Sequence, residues 1–325
     1  MRIGVLSNRR AGGSGARVAR VLEHLSRDPE IVHVEAATSH DAPDVMGVLA
    51  DADIDILIVN GGDGTLQHTL TAVLRSGSPF RKVPMIAPIR TGRTCMSAID
   101  IGSHRDPVVA VDHLLERVRA GRVEEAVAPH AALRVIIEPD GIDHWGTFFG
   151  VGVIYRATLL THRLFPTGRA QGVFGSSLVT MGLLARALFG GGKSEDGDDI
   201  LTADTIDVTL DGESIGTHDY QLVLATTLRR FIMNIKPFWG TGPGGVRFTA
   251  VGPGGLRDPR AVARVLRGKA PKNHADGHLY VSRNCEKVEL DLSCGVSLDG
   301  EMFDPREGRN ATLLADRRVR FLSTR

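Results

Sequence analysis

The chain is short of cysteine, of lysine, of net charge and of long apolar runs, and each shortage removes a class of protein. Its three cysteines, Cys95, Cys285 and Cys294, are odd in number and form no Cys-x-x-Cys pair. Neither a disulfide framework nor a zinc site is supported, and a reducing, cytoplasmic setting is expected. No run of ~18 apolar residues occurs, which is the length a spanning helix needs. The amino terminus passes from Met1-Arg2 straight into Ile3-Gly4-Val5-Leu6, without the apolar core and cleavage site of a signal peptide. Any contact with lipid is therefore expected to be peripheral. Net charge is +1, which leaves no bulk positive field to hold nucleic acid. Only six of the 39 basic residues are lysine, a skew that reads as genome composition rather than function. What remains is ordinary: 42% hydrophobic and 24% charged residues exclude a disordered or fibrous chain. The 38 glycines follow no G-X-Y period, so collagen is excluded too. A length of 325 residues favours two domains.

The first half alternates strands and helices. Residues 2–7 read as a buried strand, followed by the glycine-rich turn Asn8 to Gly15. A helix then carries Val18, Val21, Leu22 and Leu25 at helical spacing, with Ser14 as its N-cap. A strand at Ile31–Val34, a helix over 42–51 and a strand from Ile54 to Val59 come next. The turn Asn60-Gly61-Gly62-Asp63-Gly64-Thr65 leads into a helix with Leu66, Leu70, Val73 and Leu74 on one face. A strand from Val83 to Ala87, stopped by Pro88, and a helix over 107–119 complete the set. This alternation predicts a parallel sheet covered on both faces, with ligands at the carboxyl ends of its strands, where both glycine-rich turns lie.

From about Pro129 strands dominate, expected near 131–137, 145–153, 205–210, 219–227, 278–283, 286–292 and 319–323. The pattern predicts a second, mostly antiparallel domain, giving boundaries of 1–128 and 129–325. Two helices interrupt it: 176–189, followed by a flexible Gly190 to Gly197 loop, and one opened by the N-cap Asp258 with Pro259 at N1 that ends at Gly268.

Gly61-Gly62-Asp63-Gly64-Thr65 is the segment that carries chemistry. Glycines between a strand and a helix let the backbone approach a phosphate, and the helix N-terminus adds N–H donors. A carboxylate beside phosphates is repulsive unless a divalent cation lies between them, so Asp63 points to a nucleoside triphosphate with its metal. The same five residues read equally well as a tight turn whose Asp caps a helix. The segment is neither a Walker A loop nor a G-x-G-x-x-G fingerprint.

That segment resembles the glycine-rich signature of the diacylglycerol kinase catalytic-domain family, which includes bacterial lipid kinases and the sphingosine and ceramide kinases. Asn8 to Gly15 resembles the family's first turn. Val34-Glu35-Ala36-Ala37-Thr38 resembles its second strand, and Val296-Ser297-Leu298-Asp299-Gly300-Glu301 its carboxyl-terminal Asp-Gly-Glu. The matches occur in order across residues 8–301. The resemblance implies a Rossmann-like α/β nucleotide-binding domain with a parallel sheet, then an antiparallel β-sandwich domain. It implies an ATP-dependent lipid kinase using Mg2+, cytoplasmic and peripheral to the inner face of the membrane, acting on diacylglycerol, ceramide or a sphingoid base. Asn8, Thr38, Gly61, Gly62, Asp63, Gly64, Thr65, Gln67 and Thr91 would bind the nucleotide. Glu301 would accept the proton of the lipid hydroxyl, supported by Asp299, with Asp63 on the phosphate side. Such an enzyme mainly positions groups and neutralises charge. The metal ligands stay unassigned, and the oligomeric state is open, a homodimer included. Read without the upstream motifs, Asp299-Gly300 is an ordinary hairpin turn.

The sequence also departs from that pattern. Gln67 and His68 stand where the family has Asn and Glu. Pro88-Ile89-Arg90-Thr91-Gly92-Arg93-Thr94 stands where it has a Pro-Leu-Gly-Thr-Gly-Asn-Asp-like turn. Arg90 and Arg93 either clamp phosphates or fill the site. Gly242 to Val246 carries no carboxylate for the structural Mg2+ of bacterial members. Arg257, Arg260, Arg264 and Arg267 form a basic stripe opposite Val262, Val265 and Leu266, suited to anionic lipid or simply to water. Leu228 to Trp239 suits a membrane-interface loop, the wall of an acyl pocket or sandwich core. Leu178, Met181, Leu184, Leu188 and Phe189 read as core packing or a cover for an acyl chain. The twelve histidines show no ligand spacing; His68 reads as a phosphate contact or a solvated helix residue. Two other readings stay open: an NAD-kinase-like or other small-molecule kinase, and a catalytically inactive lipid-binding regulator.

Overall fold

The computed structural model describes residues 1–11, 15–38, 40–164, 200–272 and 279–325. Ser14, the helix expected over 176–189 with its apolar face, and the 190–197 loop lie outside the described residues.

The amino-terminal half is the expected alternation. Strands β1 (Ile3–Asn8), β2 (Val32–Ala36), β3 (Ile56–Gly61) and β4 (Met85–Arg90) lie parallel in the order β2-β1-β3-β4. β1 and β3 are buried at every residue, which explains why they read as continuous apolar runs rather than alternating ones. Helices α1 (Ala16–Leu25), α2 (Ala42–Asp51), α3 (Asp63–Leu74), α4 (Met96–Ile101) and α5 (Pro107–Arg119) cover the sheet. α5 begins at the expected residue because Asp106 accepts hydrogen bonds from the Val108 and Val109 N–H groups, with Pro107 behind it. Pro88 does not stop β4. It pairs with Val59 inside the strand, two residues beyond the single pairing of Ile86 with Phe321 of the last strand. Its missing N–H falls where that neighbouring ladder has ended.

The second half contains β5 (Val127–Glu138), β6 (Ile142–Gly146), β7 (Phe148–Gly152), α6 (Val153–Leu164), β8 (Asp204–Leu210), β9 (Glu213–Tyr220), β10 (Leu222–Thr226), β11 (Val246–Val251), α7 (Pro259–Val265), β12 (Tyr280–Cys285), β13 (Lys287–Leu292), β14 (Val296–Leu298), β15 (Glu301–Phe303) and β16 (Arg309–Leu322). An antiparallel sheet in the order β12-β11-β10-β7-β14-β15 faces the strands β5, β6, β8, β9, β13 and β16. Leu133, Phe149, Val208, Phe248, Leu290 and Leu313 fill the space between, so this half is a β-sandwich. The α/β-plus-sandwich architecture expected from the sequence is the one observed. β16 serves both halves: it pairs antiparallel with β5 and β13, and Phe321 meets Ile86 of β4 in parallel. α3 serves both too. Every residue from Thr65 to Leu74 is buried, because one side packs on the parallel sheet and the other on β6, where Thr71 and Trp145 exchange hydrogen bonds of 2.9 and 3.2 Å.

Candidate active site

The site forms where the carboxyl ends of β3 and β4 meet the β14–β15 hairpin. At Gly92 the two glycine turns come into backbone contact: its N–H donates to the Gly61 carbonyl at 3.1 Å, and a Cβ there would lie 2.4 Å from Gly62 Cα. Only glycine permits that approach. Thr91 donates to the same carbonyl at 3.2 Å, and Asn8 donates to Thr65 Oγ1 at 3.0 Å. Asn8, Thr65 and Thr91 are buried and tie the turns together. Thr38 donates its N–H and hydroxyl to Asp41, at the end of β2. Gly62, Asp63, Gly64 and Gln67 line the cavity described below.

Asp63 reaches across to α4, accepting from the Met96 and Ser97 N–H groups at 3.1 Å each. It therefore caps a helix far along the chain rather than its own. Burial raises its pKa against these hydrogen bonds. Asp299, at the tip of the β14–β15 hairpin with φ 47°, accepts from the Thr147 N–H and hydroxyl at 2.7 Å each. Burial pushes it up to about 7, the Thr147 bonds acting against this and the Asp63 charge adding to it. Ser97 and Thr147 are themselves joined, Oγ to Oγ1, at 3.0 Å. One polar chain thus links the two carboxylates across the two halves. Asp299 has room only because residue 146 is glycine, whose added Cβ would meet Asp299 Oδ2 at 2.2 Å.

Glu301 lies beyond. Its Oε2 is buried without a hydrogen-bond partner, 3.8 Å from His68 Nε2 and 3.9 Å from His144 Nδ1. His68 and His40 meet edge to face with ring centroids 4.5 Å apart, and Gln67 donates to His144 at 3.4 Å. Burial, then the neighbouring His40 and His144, lowers the His68 pKa to about 4, so it is neutral near pH 7. Sequence reasoning missed this gathering, since the three histidines come from the connection between β2 and α2, from α3 and from β6.

Asp63, Asp299 and Glu301 all face one cavity of about 720 Å³. Its polar end holds Gly62, Gly92, Arg93 and Thr94. Its far end is walled by Ile154, Leu224, Phe231, Ile235, Val262 and Val265. The segment 228–239 thus supplies cavity wall, through Phe231, Ile232, Ile235 and Pro237. α7 turns Val262 and Val265 inward while Arg257, Arg260 and Arg267 stay outside, exposed.

Residues 2–125 match the diacylglycerol kinase catalytic domain. The chain is similar in structure to a candidate diacylglycerol kinase from Bacillus anthracis str. Sterne, at 15% identity and TM-score 0.62, covering 96% of this chain and 94% of that one. A diacylglycerol kinase structure from the same organism aligns at 13% identity and TM-score 0.60, covering 99% and 96%. Yeast NADH kinase complexed with NADH aligns at 11% identity and TM-score 0.50, covering 99% and 83%. No curated protein matches the sequence. The chain thus has the fold of the Bacillus anthracis structures, with a diacylglycerol kinase catalytic-domain match over residues 2–125.

Proposed function

We propose that the chain is an ATP-dependent kinase that phosphorylates the hydroxyl of an apolar-tailed alcohol, a membrane lipid of the diacylglycerol, ceramide or sphingoid-base kind. The observation that carries this reading is the continuity of the cavity, which runs from the glycine turns past Asp63, Asp299 and Glu301 into an apolar chamber. A phosphate donor suits the first end and a hydrocarbon chain the second. A sugar or dinucleotide would leave its polar groups unpaired against Phe231, Val262 and Val265.

The donor end fits a nucleotide with its metal. Asp63 and Asp299 offer hard oxygen donors; burial raises the pKa of both, the Asp63 charge adds to the rise at Asp299, and a dication would relieve both. Mg2+ held there would neutralise charge on the transferring phosphoryl group. Arg90 is half-buried with Arg325, Arg105 and Arg17 near it, and burial first, then these guanidiniums, lower its pKa. Among the described residues none of Arg17, Arg90, Arg93 and Arg105 has a carboxylate partner within 4.0 Å. Cations left unpaired beside a phosphate turn suit a triphosphate, and guanidiniums bind it bidentately. Glu301 stands where the donor end meets the chamber, placed to orient the hydroxyl and take its proton.

The test is incubation with γ-labelled ATP and Mg2+, in parallel with a total lipid extract, with NAD and with a mixture of sugars, the products being identified by mass. A labelled lipid that disappears in Asp63→Asn supports the reading. Labelled NADP or a sugar phosphate would replace it with a small-molecule kinase. Liposome binding without transfer would replace it with a non-catalytic lipid binder.

A further inference from the structure

The cluster around Glu301 contains more than proton-transfer chemistry requires. His40, His68 and Glu301 each present a ligand atom, and the three atoms lie within 4.8 Å of one another. All three residues face the cavity. A tetrahedral ion bound at about 2.0–2.1 Å spaces its ligand atoms ~3.4 Å apart, so side-chain rotations of about 1 Å would close the set. Glu301 Oε2, aimed between the imidazoles, has no hydrogen-bond partner. A buried carboxylate oxygen without a donor is costly, and an ion among these three groups removes the cost. His144 stands behind, its Nδ1 3.9 Å from the same oxygen and held by Gln67, which places a third imidazole beside the carboxylate.

We infer that His40, His68 and Glu301 form a binding site for a divalent transition metal of the zinc class, at the acceptor end of the cavity and separate from the oxygen donors Asp63 and Asp299. The donor chemistry selects the metal. Two imidazole nitrogens and one carboxylate suit Zn2+, Co2+ or Ni2+, whereas Mg2+ prefers six oxygens. Three protein ligands leave one position for an exogenous oxygen, the arrangement of catalytic rather than structural zinc, and here that position opens to the cavity. His40 is exposed and gives the ion a path in from solvent. Glu301 Oε2 is the atom that faces the imidazoles, so its second oxygen is left for the acceptor hydroxyl. The two roles of Glu301 then coexist.

The site does not depend on the identity of the donor or the acceptor, and its test uses neither. Untagged full-length chain, stripped with a chelator and exchanged into chelator-free buffer, is titrated with Co2+ while visible absorption is followed. Expected are d–d bands of four- or five-coordinate Co2+ saturating at one equivalent, bleached by one equivalent of Zn2+ and unaffected by millimolar Mg2+. His40→Ala and Glu301→Gln weaken Co2+ binding at least ten-fold, whereas His24→Gln, a histidine paired with Asp112 elsewhere, does not. Glu301→Gln keeps the side chain's shape, and circular dichroism confirms its fold. Saturation no tighter than in a His40→Ala/His68→Ala double variant, or displacement by equimolar Mg2+, would overturn the assignment. Failure here leaves the labelled-ATP assay untouched, and failure there leaves this titration untouched.

Discussion

At the scale of single residues, the site is governed by carboxylates kept from water. Asp299 holds its proton up to about pH 7, whereas an unfolded Asp releases it near pH ~4. Between these values the native chain binds a proton that the unfolded chain has lost, so stability falls as pH rises through that window. Asp299→Asn removes the titration and keeps the contacts. Its Oδ1 accepts the Thr147 N–H, and its amide donates to the Thr147 hydroxyl, which turns toward Ser97. Melts in chelator at pH 5 and pH 8 should show the wild type losing several degrees more than the variant. An equal loss in both would show that another group sets the dependence. Gly146→Ala makes the complementary prediction. Its methyl would lie 2.2 Å from Asp299 Oδ2, so the carboxylate must leave Thr147. Phosphoryl transfer and Mg2+ affinity should fall at least ten-fold, with the fold retained by circular dichroism; unchanged Mg2+ affinity would separate Asp299 from the metal.

At the scale of elements, α4 is held at both ends by residues from elsewhere in the chain. It has six residues and no cap of its own side chains. Its N-terminus is held by Asp63, and Asp100 near its other end accepts from His130 Nε2 and the Arg229 N–H at 2.8 Å each. Burial alone would raise the Asp100 pKa, but His130, the Arg229 N–H and the Arg230 charge outweigh it and hold it below the ordinary value. The stability it contributes is present above the unfolded pKa of ~4 and is lost as pH falls below it. Asp100→Ala leaves the His130 ring and the Arg229 N–H without their acceptor where the two halves meet, and should cost about 1–3 kcal/mol, read by urea unfolding. A loss below ~1 kcal/mol would show the clamp to be incidental. None of this was legible in the sequence, because α4 is capped by residues distant in the chain and has no period of its own. α5 was legible to the residue, since Asp106-Pro107 is a local signal. The buried strands β1 and β3 announced themselves as apolar runs. β14 and β15 have three residues each, too few for alternation to show, and β16 carries arginines because part of it is exposed. Asp63, Asp299 and Glu301 were singled out in the sequence by short motifs resembling a family's signatures, and the fold brings all three to one cavity. The histidines around Glu301 were not, because only the docking of the β2–α2 connection, α3 and β6 brings them together.

At the scale of the whole molecule, the cavity and the outer surface are two faces of the same elements. α7 lines the chamber with Val262 and Val265, and Arg260 on it and Arg267 just beyond its end are exposed. In the neighbouring segment Ile232 and Ile235 face the chamber, while Met233 between them is 76% exposed, at φ 57°. No helix among the described residues is long and apolar enough to cross a membrane. If the acceptor is the lipid proposed above, the basic and apolar groups outside the chamber are the face that would meet a membrane surface. Each arginine near an anionic surface contributes on the order of 1 kcal/mol, screened by salt, while Met233 would contribute by burying apolar area, which salt does not weaken. The two contributions are therefore separable. Arg260→Glu/Arg267→Glu should reduce cosedimentation with vesicles containing anionic lipid at least ten-fold at low salt and have little effect on neutral vesicles. Met233→Ser should reduce binding to both. If the charge-reversed protein binds anionic vesicles like the wild type, α7 does not face the membrane, and the acceptor must enter the chamber from another side.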